Sequence, residues 1–316
     1  MYSKILKKTE EREADFVALT ALYIDMWISE YWKDFELLDA YDGYKLEKWK
    51  NVKLLRPDPQ VVWKNKKVGR EQVDAKYFRS SKGGGEWKFY KKLPEEWEIE
   101  YRDLKFMVRP TGFKHTGLFP EQAVNWDFAR NMIKSGKEKI SGRNPNVLNL
   151  FAYTGGATVA CLKEGADVCH LDASKSIVTW AKKNVTLNGL GDKNVRFIVD
   201  DAQKFVEREI KRNKKYDGII MDPPSYGRGP NGELWKIEDK IYDLITSCIS
   251  LFSDTPLFFI INTYTTGLSN TVMENILNLT MKKKFGGSVM ADEIGFFAKE
   301  SEIYLPCGST ARWQFL

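Results

Sequence analysis

The most distinctive chemical feature of the sequence is the segment Asp222–Tyr226, which reads Asp-Pro-Pro-Ser-Tyr and follows an apolar run. Its two prolines remove two backbone N–H donors and stiffen the chain into an extended bend, which leaves carbonyl oxygens beside the Asp222 carboxylate. These acceptor groups, followed by an aromatic ring, suit a planar group that carries an amine. We therefore predict Asp222, Pro223 and Tyr226 as catalytic residues. The alternative is a proline-rich loop that merely ends a strand.

A glycine turn lies earlier in the chain, within Asn149–Thr158. Gly155 and Gly156 let the backbone pass close to a ligand, and the helix that begins there offers unpaired N–H groups to a carboxylate. The turn lacks the GxGxxG spacing of a dinucleotide pyrophosphate site. A nicotinamide-dependent oxidoreductase is therefore disfavoured, although the turn together with Asp172 can imitate its fingerprint.

Further carboxylates follow the next two apolar runs. Asp172 ends one run, and a carboxylate at that position can accept both hydroxyls of a ribose. The alternative is a helix cap, but Ser174 can provide that cap and leave Asp172 for a ligand. Asp200 and Asp201 end the following run. Asp201 is the stronger candidate to bind an exocyclic amine such as that of adenine, against a strong alternative role as a helix cap.

Residues 111–316 contain the elements that must position these groups. Short apolar runs alternate with helical periodicity, which is typical of a parallel sheet covered on both faces. The predicted strands are Val147–Leu150, Asp167–Leu171, Val195–Val199, Tyr216–Met221 and Leu257–Asn262, and the helices are Ala157–Glu164, Ser174–Asn188, Asp201–Lys211 and Trp235–Phe252. Ser288–Phe297 and Ala311–Leu316 predict a closing β-hairpin. Ligands bind beyond the carboxyl ends of such strands, so the turns named above would meet at one site.

The first 110 residues have a different pattern. Ala14–Trp32 has apolar residues at helical spacing and predicts an amphipathic helix. Short alternating runs then predict a small β unit: Phe35–Leu38, Tyr44–Trp49, Val52–Arg56, Glu86–Tyr90, Trp97–Tyr101 and Leu104–Val108. We expect an α/β protein in three parts. These are an N-terminal helical extension (1–34), a small β-rich domain (35–110) and a Rossmann-like domain (111–316) with a mostly parallel seven-stranded sheet.

The net charge of +6 is unevenly distributed. Gly43–Arg109 holds eighteen basic and ten acidic residues with interleaved aromatics. This suits RNA as a partner, but solvated lysines around a small core are an equal alternative. The charged first residues and the lack of a long apolar run predict a cytoplasmic protein with no membrane partner. Two histidines and four scattered cysteines predict neither a metal site nor disulfides. Monomer and homodimer both stay open.

Several segments together resemble the class I S-adenosylmethionine-dependent methyltransferases, and more narrowly the bacterial large-subunit ribosomal RNA methyltransferases of the I and K types. The segments are Phe113–Gln122, Leu148–Thr158, Asp172, Asp201, Asp222–Tyr226 and Leu305–Trp313. The resemblance covers about two thirds of the chain. No PUA-type RNA-binding module of the kind that some of these relatives carry is recognisable at the N-terminus.

The resemblance implies S-adenosylmethionine as the cofactor. Tyr153–Gly156 would hold its methionine part, Asp172 its ribose and Asp201 its adenine amine. The full set of implied cofactor-binding residues is Phe119, Gln122, Phe151, Tyr153, Thr154, Gly155, Gly156, Asp172, Ser174, Asp201, Ala202 and Asp222.

The positions of the cysteines limit which type of atom can receive the methyl group. Methylation at C5 of a pyrimidine needs a cysteine nucleophile, which family members with that activity place after strand four or five. Here Asp222–Ser225 and Asn262–Thr266 contain no cysteine, and Cys307 is the one exception to consider. Nitrogen or oxygen of RNA is therefore favoured, with His115 as a weak candidate proton acceptor. A protein or small-molecule acceptor, and an RNA-binding factor without catalysis, remain as alternatives.

Overall fold

The computed structural model describes residues 26–64, 73–80, 84–140, 142–228, 234–265 and 267–315. Most of the helix predicted over Ala14–Trp32 lies outside these residues. Its described end does not form a helix, because Met26–Ile28 is a short strand (β1) that pairs in parallel with Glu293–Gly295. The prediction is wrong there because pairing with an open sheet edge outweighs the local helical periodicity.

The small β unit contains a five-stranded sheet and a separate hairpin. The strands are β2 (Phe35–Tyr41), β3 (Tyr44–Trp49), β4 (Val52–Pro57), β5 (Ala75–Arg79), β6 (Gly85–Phe89), β7 (Trp97–Tyr101) and β8 (Leu104–Val108). The sheet has the order β2-β3-β4-β5-β6, and β7 and β8 form the hairpin. Six of these seven strands match the predicted runs. The exception, β5, is bounded by charged and polar residues, so its alternation is short, and it joins the sheet through a parallel pairing with β4.

The second and larger unit is an open α/β sheet. Its further strands are β9 (Asn146–Leu150), β10 (Asp167–Asp172), β11 (Val195–Val199), β12 (Gly218–Met221), β15 (Phe258–Thr263), β16 (Ser288–Ala298) and β17 (Ile303–Gln314). The strand order is β1-β16-β17-β15-β12-β9-β10-β11, and only β17 runs antiparallel to its neighbours, β15 and β16. The predicted Rossmann-like fold with its C-terminal hairpin is confirmed, with β1 as an additional eighth strand at the edge.

Helices cover both faces of the large sheet, and a short hairpin precedes one of them. The helices are α1 (Ala123–Gly136), α2 (Gly156–Lys163), α3 (Lys175–Leu187), α4 (Ala202–Lys211), α5 (Ile237–Ile249), α6 (Asn270–Leu277) and α7 (Lys283–Phe285), with a π-helical turn at Asn278–Lys282. The hairpin is formed by β13 (Tyr226–Arg228) and β14 (Leu234–Lys236). None of the helices in the described residues is long and apolar enough to cross a lipid bilayer.

A hydrophobic core extends across both units. Trp126 of α1 packs its ring against Tyr101 of β7 and Phe106 of β8, with ring centroids 5.9 and 5.1 Å apart. Hydrogen bonds add to this packing, since the Asn184 side chain of α3 accepts from the Met107 backbone N–H of β8 at 2.9 Å. The small β unit is therefore fixed against the sheet whose strand ends form the site.

Candidate active site

A cavity of about 630 Å³ lies at the carboxyl ends of β9, β10, β12 and β15, where it is also bordered by the small sheet. Strand order reverses at β9, which lies between β10 and β12, so this is the position at which an open α/β sheet binds ligands. Six of the predicted site residues line the cavity: Phe119, Phe151, Tyr153, Asp172, Asp222 and Pro223.

The turn after β9 is held in a strained shape. Phe151 and Tyr153 both have left-handed backbone conformations, with φ of 55° and 50°, which residues other than glycine rarely adopt. Gly155 is also left-handed, with φ of 86°, and here glycine avoids the strain. Thr154 is fully buried, and its hydroxyl donates to the Gly117 carbonyl at 2.5 Å. Thr154 therefore holds the turn in place, while the rings of Phe151 and Tyr153 reach the cavity.

Gly156 is required by packing behind the turn. A Cβ at Gly156 would lie 2.4 Å from the ring of Trp126. Deeper in the sheet, the Asn149 amide donates to the Thr158 hydroxyl at 2.9 Å, and that hydroxyl also contacts His170 Nδ1 at 2.9 Å. These buried contacts fix the start of α2 against β9 and β10.

Asp172 is tied to the backbone on both sides of it. Oδ2 accepts from the Tyr153 N–H at 3.0 Å, and Oδ1 accepts from the Ser174 N–H at 2.9 Å. Burial raises the pKa of Asp172, and these two hydrogen bonds oppose that rise. The expectation that Ser174 caps the next helix with its side chain is wrong, because its hydroxyl lies 3.0 Å from Ser176 Oγ and makes no cap.

Asp201 caps α4. Its Oδ1 accepts from the Lys204 N–H at 2.9 Å, and Ala202 behind it is buried. Asp200 accepts from the Asp201 N–H at 2.8 Å and pairs with Arg208. In the part of the chain that the structure describes, neither carboxylate lines the cavity, so the alternative role as a helix cap is the one observed.

Asp222 lies at the end of β12 and is held by two amides. The Gln122 amide donates to Oδ2 at 3.4 Å, and the Asn262 amide donates to Oδ1 at 3.3 Å. Burial raises the pKa of Asp222 to about 7, and the nearby Glu121 charge adds to that rise, while the Asn262 hydrogen bond opposes it. The group therefore changes protonation state near neutral pH.

The rest of the Asp222–Tyr226 segment is divided between the cavity and the surface. Pro223, Pro224 and Ser225 line the cavity, and the Trp235 indole anchors the bend by donating to the Pro224 carbonyl at 2.6 Å. Tyr226 instead lies in β13 and is 58% exposed. Tyr226 is not one of the described residues that line the cavity. If its ring stacks on a base, that base lies outside the cavity.

Glu121 and Tyr264 are site residues that were missed in the sequence. Glu121 is 4% exposed, and its Oε1 accepts from the Tyr264 hydroxyl at 3.0 Å. The same hydroxyl accepts from the Gln122 amide at 3.1 Å. Burial raises the pKa of Glu121, although Lys45 and Arg56 oppose it. Tyr264 could have been predicted from the sequence, because it directly follows β15 and the other site residues also follow the ends of strands.

The small sheet supplies a second group of unpredicted cavity residues: Lys45, Arg56, Asp58, Pro59 and Gln60. Arg56 binds Glu47 through two hydrogen bonds, from Nε at 2.6 Å and from Nη2 at 2.7 Å. Lys45 Nζ lies 3.2 Å from Asp58 Oδ2. No sequence pattern indicates these contacts, because they depend on how the small sheet packs against the large one.

His115 and Cys307 also line the cavity. Burial lowers the pKa of His115 to about 3, and the nearby Arg56 and Lys114 charges lower it further, so the ring is neutral at physiological pH. Burial and the Glu121 charge raise the pKa of the Cys307 thiol well above its usual value. A protonated thiol is a poor nucleophile.

The groups along this wall fit a nucleoside with a cationic tail, as S-adenosylmethionine is. The Asp172 carboxylate uses one lone pair of each oxygen on the backbone and retains others for ribose hydroxyls. The ring of Phe119 lies between those of Tyr153 and Tyr264, at centroid distances of 5.3 and 5.5 Å. Such rings offer a flat apolar surface to a base and a favourable face to a cation.

Comparison with known proteins agrees with this geometry. The family model described as S-adenosylmethionine-dependent methyltransferase matches residues 54–247. The crystal structure of a SAM-dependent methyltransferase from Agrobacterium tumefaciens is 33% identical with a TM-score of 0.84, over 92% of this chain and 93% of that one. A Streptococcus mutans protein described as a SAM-dependent methyltransferase shares the fold, with a TM-score of 0.66, 18% identity, and coverage of 90% of this chain and 76% of that chain.

Curated relatives have names that refer to ribosomal RNA. The chain is 30% identical over 185 residues to ribosomal RNA large subunit methyltransferase K/L of Shewanella frigidimarina, which is 58% of this chain and 24% of that protein. It is 27% identical over 249 residues to ribosomal RNA large subunit methyltransferase K of Neisseria meningitidis, or 75% of this chain and 68% of that one. The chain thus spans about a quarter of the length of the K/L relative.

Proposed function

The chain belongs to the S-adenosylmethionine-dependent methyltransferases, and on that premise we propose that it methylates a nitrogen or oxygen atom of RNA, with ribosomal RNA as the acceptor. The names of the K/L and K relatives support ribosomal RNA, and the K type is the finer assignment that we favour. Family membership removes the nicotinamide-dependent oxidoreductase from the alternatives. A ribosomal RNA acceptor would place the enzyme in the cytoplasm.

The cofactor would occupy the side of the cavity formed by the ends of β9 and β10. S-adenosylmethionine supplies an activated methyl group on a sulfonium, which is already a good leaving group. Asp172 would bind the ribose hydroxyls, and Phe119 and Tyr153 would enclose the base or the sulfonium between their rings. The strained turn at Phe151 and Tyr153 would keep this wall rigid, so the protein's main contribution there is positioning.

The position of Asp222 is the observation that supports a nitrogen or oxygen atom as the methyl acceptor. It is a carboxyl at the end of β12, it lines the cavity, and its pKa of about 7 lets it exist as a base at working pH. The carboxylate would orient an amine or hydroxyl of the acceptor by accepting its hydrogen bond and would take up the proton that this group releases. Gln122 and Asn262 would hold the carboxylate in place throughout.

The cavity disfavours a ring carbon as the methyl acceptor. Carbon methylation would need a thiolate to attack the pyrimidine, and Cys307 is the described cysteine that lines the cavity. Its raised pKa keeps the thiol protonated, and its sulfur lies 3.7 Å from the Leu305 carbonyl oxygen as a donor. A nitrogen or oxygen acceptor needs no such activation.

Transfer of a labelled methyl group tests the proposal. Total RNA and total protein would be prepared from a strain lacking the gene, incubated with the purified enzyme and labelled S-adenosylmethionine, and the RNA digested for nucleoside analysis. We expect label in ribosomal RNA on a nitrogen or oxygen. Label confined to protein, or absent from both fractions, would reject RNA as the acceptor, and label on C5 of a pyrimidine would reject the chemistry proposed for Asp222.

A further inference from the structure

The cavity has a polar side that neither the cofactor nor Asp222 accounts for. It is formed by the start of β3, the end of β4 with the segment that follows it, and the loop near His115. Lys45 and Asp58 are the charged groups of interest there, with side chains only 12% and 10% exposed. Charged groups this deeply buried lose most of their hydration. Their donors and acceptors therefore need partners from the protein or from a ligand.

The neighbouring Glu47 carboxylate is already satisfied. Glu47 receives the Arg56 guanidinium through two bonds and the Trp49 indole N–H at 3.1 Å. Arg56 also donates to the Lys114 carbonyl at 3.0 Å, which fixes the loop that leads to the cavity. Glu47 therefore has little capacity left for a ligand, and Arg56 is held in place with three of its five N–H groups committed.

Lys45 and Asp58 do have such capacity. Lys45 carries three N–H donors, and its ammonium lies 3.2 Å from Asp58 Oδ2 and 3.5 Å from Glu47 Oε1. Asp58 Oδ1 accepts from the Gln60 backbone N–H at 3.0 Å. Each carboxylate oxygen of Asp58 thus has one donor and one further lone pair. A donor and an acceptor stand side by side in the wall of the cavity that Asp222 lines.

We propose that Lys45 and Asp58 form the acceptor subsite, binding the hydrogen-bonding edge of an unpaired nucleobase while Asp222 addresses the atom to be methylated. Nucleobases present neighbouring donors and acceptors on one edge, and this pair complements such an edge. The inference rests on the proposed RNA acceptor. It makes the small β unit a determinant of substrate choice, because a ligand that leaves this buried pair unmatched binds weakly.

The test is a double variant, Lys45→Met with Asp58→Asn, assayed on the RNA that the parent enzyme methylates. Replacing both members by uncharged groups of similar size avoids leaving one buried charge without its partner. We expect the KM for RNA to rise about 10- to 100-fold, as for lost hydrogen bonds to charged groups. The Kd for S-adenosylmethionine should stay within about twofold of the parent value, since neither residue is among those assigned to the cofactor.

The matched control is Lys48→Met with Glu36→Gln, a pair 4.0 Å apart on the same sheet that does not line the cavity, with side chains 47% and 26% exposed. It should leave the KM for RNA unchanged. A parent enzyme that methylates no RNA would reject the proposed function and this inference with it. A parent that methylates RNA and a double variant that keeps the parent KM would reject the subsite alone. A lower melting temperature and a weaker cofactor affinity, without a change in the KM for RNA, would assign the pair a structural role instead.

Discussion

Asp222→Asn should make the enzyme less active and, at alkaline pH, more stable. Burial raises the pKa of Asp222 from 3.8 to about 7. A carboxyl with a raised folded-state pKa stabilises the native state below its unfolded pKa and loses that contribution as pH rises through its folded pKa. At about 1.4 kcal/mol per unit, the full loss is about 4 kcal/mol.

The loss between two convenient pH values is smaller. At pH 5 the unfolded carboxyl is already ionised while the native one is protonated, so the loss from pH 5 to pH 8.5 is about 2.5–3 kcal/mol. Asp222→Asn removes this titration and keeps one oxygen, which can accept from one of the Gln122 and Asn262 amides. The other amide has to turn to face the new NH2 group, and the cost of that turn is the same at both pH values. The free energy of unfolding of the variant minus that of the parent should therefore be about 2.5–3 kcal/mol more positive at pH 8.5 than at pH 5.

Urea unfolding at the two pH values measures this difference. Asp254→Asn, at an exposed carboxyl, is the control and should show no such dependence. Glu121 also has a raised pKa, but it is present in parent and variant, so its contribution largely cancels. In the same variant kcat should fall far more than cofactor affinity, because the lost group acts mainly in the transition state. An equal stability difference at both pH values would show that Asp222 does not titrate as the structure indicates.

Three further outcomes are expected. Asp172→Ala should weaken S-adenosylmethionine binding by about 1.5–3 kcal/mol in calorimetry, and unchanged affinity in a folded variant would remove Asp172 from the cofactor site. Gly156→Ala should lower the free energy of unfolding by about 1–3 kcal/mol, because its Cβ would meet Trp126 at 2.4 Å, whereas Gly191→Ala, with open space around it, should have little effect. Cys307→Ala should leave turnover largely intact, and a covalent adduct with 5-fluoropyrimidine RNA that disappears in this variant would contradict nitrogen or oxygen transfer.

The sequence predicted the large sheet well because each of its elements carries its own signal. The predicted strands at Val147–Leu150 and Val195–Val199 match β9 and β11 to within one residue at each end. Parallel strands place their carboxyl ends at one edge, so the strand pattern alone was enough to bring Tyr153, Asp172 and Asp222 together in one site.

The misses have a common physical origin in contacts between distant parts of the chain. Met26–Ile28 shows helical periodicity but pairs with an open edge of the sheet. For Asp201 the structure shows a cap through the Lys204 N–H, and its role toward the adenine amine stays a prediction. Lys45 and Asp58 are ordinary polar residues of a small β unit until that unit packs against the catalytic sheet.

The shared core affects how the protein unfolds. Trp126 packs on Tyr101 and Phe106 across the junction between the two units, and the Asn184 side chain is bonded to the backbone of β8. If the small β unit unfolded first, these apolar rings would be exposed to water. Unfolding of either unit alone therefore has a high free-energy cost. The pair should give one calorimetric transition, and a fragment of residues 111–316 expressed alone should aggregate.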